Sequence, residues 1–156
     1  MANPLASIKA YLQSFIPGPR LIDGGDLNFF ANMFFQVTTG ITALAGGGQA
    51  GATLLNQGLS RVDTCATNSD SVMLPFAIPG NQCVVYNNTG QTLAIFGSPA
   101  NPQNPSAASP QGQGDTIAAS TSNTQQATAT GITLATAKTA IFYCFVLGQW
   151  KEVLTG

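Results

Sequence analysis

Along the chain the spacing of apolar positions changes character near residue 40. Before it, from Pro4 to Ile16, Leu5, Ile8, Leu12, Phe15 and Ile16 recur at three- and four-residue steps, which predicts a helix with one apolar face that Pro17-Gly18-Pro19 ends. A second short helix is expected from Asp26, an N-capping residue type, through Leu27, Phe29, Phe30, Met33 and Phe34. After it, short apolar runs bounded by Gly, Pro, Asn or Ser predict strands at 41–45, 61–66, 71–77, 82–87, 92–97, 131–135, 139–147 and 149–154. Many short strands of this kind predict an all-β domain, an antiparallel β-sandwich or small barrel of jelly-roll or tulip-like form, with a partly helical N-terminal arm. Residues 1–40 are the arm and 41–156 the β domain.

Two hairpins are legible in the turn chemistry. Asn87-Asn88-Thr89-Gly90 separates two apolar runs, and Gly148-Gln149 suits a tight type II′ turn before Trp150. The stretch Ser98–Gly114 holds four prolines and nothing aliphatic larger than Ala, so it reads as a long exposed loop. The Ser-, Thr-, Gln- and Ala-rich run 118–130 reads as either loop or polar edge strand. Thr139–Leu147 lacks polar alternation, so both of its faces are expected to be covered. One face belongs to the core; the other meets a second subunit or the N-terminal helices.

Composition sharpens this picture. Charged residues make up 7% of the 156, against roughly 25% in an average soluble domain. A surface built from small and amide side chains suits crowded protein contacts better than a solitary monomer. A net charge of −1 gives no electrostatic footprint for nucleic acid or an anionic membrane surface, so neither is an expected partner. No apolar run has the length of a membrane helix, and residues 1–16 lack the signal-peptide pattern, which places synthesis in a cytosol. Cys65, Cys83 and Cys144 are odd in number and embedded in apolar segments, as buried free thiols are.

Chemistry is thinly represented. The Gly46, Gly48 and Gly51 spacing matches a dinucleotide-binding turn, but the residues after it, Ala52 to Gly58, break off within two turns and lead into more strand. Those glycines are expected to form a flexible turn of positive φ, a hinge. The chain has no histidine, which removes the usual general base, nitrogen metal ligand and Ser-His-Asp triad. Its acids are Asp23, Asp26, Asp63, Asp70, Asp115 and Glu152, of which Asp23 and Asp26 suit helix capping. No catalytic, cofactor or metal site is expected, and the protein is not expected to be an enzyme.

The succession Gly40 to Ala50, Arg61-Val62, Asp70 to Pro75, Gly114 to Ile117 and the closing Ala137-Lys138-Thr139-Ala140 to Gly148-Gln149-Trp150-Lys151 resembles a group of small β-rich structural proteins of tailed bacteriophages. The resemblance runs over about residues 21 to 154 and lies in the order of the blocks. It implies a capsid decoration, or cement, protein: a homotrimer that stabilises the shell by binding neighbouring copies of the major capsid protein in a virion assembled in the host cytoplasm. Within it the glycine stretch is an inter-strand turn. The arm residues Leu5, Ile8, Leu12, Phe15, Phe29, Phe30, Met33 and Phe34 carry more apolar area than a short cap needs and are the candidate partner-binding residues, with packing against their own domain as the other reading. An alternative function is the receptor- or glycan-binding head of a fibre or tailspike-like protein, with Trp150 and Tyr86 as stacking platforms.

Overall fold

The structure, a computed structural model, describes residues 36–155. The two helices expected in the arm and the eight candidate arm residues fall outside the described residues. The described part is all-β: β1 (Val37–Thr42), β2 (Thr53–Leu54), β3 (Gly58–Thr64), β4 (Asp70–Met73), β5 (Gln82–Asn87), β6 (Leu93–Phe96), β7 (Thr116–Ala118), β8 (Ile132–Leu134), β9 (Thr139–Val146) and β10 (Gln149–Thr155). They form a six-stranded sheet in the order β1-β3-β5-β9-β10-β7 and a four-stranded sheet in the order β2-β4-β6-β8. The arrangement is sandwich-like. One core cluster draws Val62, Val85, Phe142 and Trp150 from the first sheet and Val72, Leu93, Ile95 and Leu134 from the second.

Strand direction corrects the sequence reading. β1 pairs parallel with β3 and β3 with β5, while β2 pairs parallel with β4 and β4 with β6. From β1 to β6 successive strands alternate between the two sheets, so this part of the chain winds as a flattened coil that lays one strand in each sheet per turn. Parallel neighbours need a crossover between them, and here the strand in the opposite sheet is that crossover. Among the named strands, β5–β9, β9–β10 and β6–β8 pair antiparallel, and β7 pairs parallel with β10. The sheets are therefore mixed, and an antiparallel jelly roll is excluded.

The corner at Asn87 shows why the expected first hairpin does not form. Asn87 is fully buried, and its Nδ2 donates to the carbonyls of Gln91, Leu134 and Ala135 at 2.9, 3.2 and 3.2 Å. Its Oδ1 accepts from the Thr89 amide and hydroxyl at 3.1 and 2.7 Å. All of the side chain's hydrogen-bonding capacity goes into a corner that carries the chain from β5 in one sheet to β6 in the other. The same Asn-rich string satisfies either geometry, because turn residues specify local backbone shape and not the sheet the next strand joins.

The second hairpin, β9 to β10, is present with a different turn. Positive φ falls on Gly148 alone, after Leu147, so the II′ form is absent. The register slips from Gln149↔Val146 to Trp150↔Cys144, leaving Phe145 without a partner as a bulge. β2 and β7, of two and three residues, are not among the strands expected from the sequence. The run 118–130 is irregular after Ala118. In the Pro-rich loop most residues are exposed, but Asn101 is buried and donates to Asp115 Oδ1 at 2.9 Å and to the Ala77 carbonyl at 3.3 Å, which pins the loop to the core.

Candidate interaction face

Alternation along the long strands decides which side chains leave the core. In β3, Ser60 and Val62 are buried while Leu59 and Arg61 are exposed; in β5, Cys83, Val85 and Asn87 point in while Val84 and Tyr86 point out. In β9, Ala140, Phe142 and Cys144 are buried, which leaves Ile141, Tyr143 and Phe145 on the outer face. Both faces of this strand are apolar, as its unbroken run of apolar residues requires.

Register then assembles these outward residues into a row. Val37 stands opposite Leu59, Leu59 opposite Val84, Val84 opposite Ile141, and Ile141 opposite Val153. Five strands thus contribute one unbroken aliphatic line across the sheet. One flanking row runs Arg61, Tyr86, Thr139; the other runs Gln82, Tyr143, Lys151. The Tyr143 and Phe145 rings stack with centroids 6.0 Å apart and an interplanar angle of 29°. Phe145 is 73% exposed, the most exposed large apolar side chain among the described residues. At the other end of the row, Val37, Thr39, Leu59, Arg61, Val84 and Tyr86 border an apolar groove of about 230 Å³.

The charges at the rim are already engaged. Arg61 Nε donates to the Asp63 carboxylate, which also receives the Asn88 side-chain amide at 2.7 Å and the Gly40 amide at 2.6 Å. The Asn88 hydrogen bond first, then the Gly40 amide, holds the Asp63 carboxyl below the ordinary range. Lys151 Nζ donates to the carbonyls of Ala119 and Ser122 at 2.7 and 2.5 Å. Arg61 is thus ion-paired, whereas the Lys151 ammonium keeps its charge and is held by two neutral carbonyls.

The remaining acids among the described residues have structural partners. Asp70 receives the amides of Gly46, Ala66 and Thr67 and the Thr67 hydroxyl. Asp115, buried, receives the Ala77 amide at 2.9 Å and Asn101; burial pushes its carboxyl up. Glu152, buried in β10, receives the Ser120 amide at 2.8 Å. Among the described residues no three His, Cys, Asp or Glu side chains converge as a metal site would require. The glycine turn 46–51 thus presents an amide to the chain's own carboxylate. Gln49 Nε2 further ties it to the carbonyls of Gly97 and Thr128 at 2.7 and 3.0 Å, so it is a pinned turn and not a free hinge.

Two aromatic expectations divide. Tyr86 does lie on the outer face, half-buried, whereas Trp150 is fully buried with its Nε1 donating to the Pro75 carbonyl at 3.2 Å, and it is no stacking platform. Cys83 and Cys144 are buried and Cys65 half-buried, all three free; burial raises the Cys83 thiol to about 12. The aliphatic row was not predicted from sequence. The only signal for it was the doubly apolar strand 139–147, because the other members sit on strands whose pairing direction the sequence leaves open. No known protein family, curated protein or solved structure matches the chain.

Proposed function

We propose that the protein is a structural component of a bacteriophage virion, a capsid decoration protein that binds neighbouring copies of the major capsid protein as a homotrimer. The observation that carries this reading is the six-stranded sheet, apolar on its core face and again along Val37, Leu59, Val84, Ile141 and Val153 on its outer face. An apolar outer face in a chain with 7% charged residues suits permanent assembly. The order of sequence blocks that resembles small virion proteins supports the same reading. So do Asp70, Asp115 and Glu152, whose hydrogen bonds are spent on turns and loop anchors.

Binding alone would be the mechanism. Apolar burial contributes about 25 cal/mol per Å² removed from water, and three linked copies add avidity. The arm residues Leu5, Ile8, Leu12, Phe15, Phe29, Phe30, Met33 and Phe34 are proposed as the contact to the shell. The test is to mix purified protein with shells assembled from the major capsid protein. Saturable cosedimentation at a fixed copy ratio, with a raised disruption temperature of the shell, is expected. Shells that take up no protein at micromolar concentration would overturn the reading.

A further inference from the structure

We draw no further inference here: the strongest candidate, the apolar groove that Val37, Leu59, Val84 and Tyr86 line at the β1 end of the outer face of the six-stranded sheet, carries nothing because no feature of the structure shows what covers it.

Discussion

The Asp70 carboxylate accepts the Gly46 amide at 3.1 Å, which joins the glycine-rich turn after β1 to the first residue of β4 in the other sheet. The same carboxylate takes the Ala66 and Thr67 amides at 2.7 and 3.0 Å and the Thr67 hydroxyl at 2.7 Å. A spacing that matches a phosphate cradle is thus used to hold an internal anion where the coil passes from sheet to sheet. The Thr67 hydroxyl first, then its amide, keeps the Asp70 carboxyl below the ordinary range. Its contribution is therefore complete above the unfolded value of about 3.9 and is lost as pH falls through the lower folded value. Thermal unfolding followed from pH 6 to pH 2 is expected to show a steeper acid loss in the wild type than in Asp70→Asn.

The glycines of that turn are not equivalent. Gly47 has φ +69°, and a Cβ there would lie 2.8 Å from the Ser69 carbonyl oxygen; Gly46 has φ +86° with open space around it. Gly46→Ala should cost about 1–2 kcal/mol, the left-handed penalty alone. Gly47→Ala should cost more, because backbone must also move. Chemical denaturation of the two variants gives the comparison, and equal losses would show that the turn adjusts freely around Ser69.

Asp115 fastens the Pro-rich loop to the strands beneath it through Asn101 and Ala77. Asp115→Ala leaves two donors without their acceptor, a loss of about 1–3 kcal/mol per buried group left unsatisfied. The ionised carboxylate is itself disfavoured by burial, so its folded-state value lies above the unfolded one. Stability from this group is consequently lowest above the folded value and rises as pH falls through it, levelling off below about 3.9. The wild-type profile should carry this opposing slope, and Asp115→Asn should lack it. Limited proteolysis between Pro99 and Gln113 should be faster in Asp115→Ala.

Trp150 and Phe142 are the largest fully buried side chains. Either one changed to Ala should cost about 3–5 kcal/mol. Trp150→Phe preserves most of the volume but leaves the Pro75 carbonyl without its donor, so about 1–2 kcal/mol is expected from that bond and the smaller ring. Urea midpoints at constant slope read these losses.

For the arm, Leu5, Ile8, Leu12 and Phe15 changed together to Ser should weaken uptake by shells at least tenfold while leaving the β-type dichroism spectrum unchanged. Only Lys9, Arg20, Asp23 and Asp26 are charged within the first 36 residues. Wild-type uptake should accordingly change little between about 50 and 300 mM salt, where screening would weaken an ion-pair contact. Full uptake by the quadruple variant would move shell binding to another surface.

Apolar spacing by itself determined strands at 82–87, 139–147 and 149–154, which agree within one residue with β5, β9 and β10, and also that β9 is apolar on both faces and that Gly148 belongs to the last turn. These are local properties, set by side-chain period and by which residues tolerate positive φ. Only the tertiary structure decided that Asn87 turns the chain into the second sheet, that β1, β3 and β5 run parallel, and that Val37, Leu59, Val84, Ile141 and Val153 form one row. Period fixes which face a residue occupies but not the neighbour beside it. Pairing direction follows from where each crossover returns, and here that depends on hydrogen bonds between residues such as Gly46 and Asp70, or Asn101 and Asp115, that are distant in sequence.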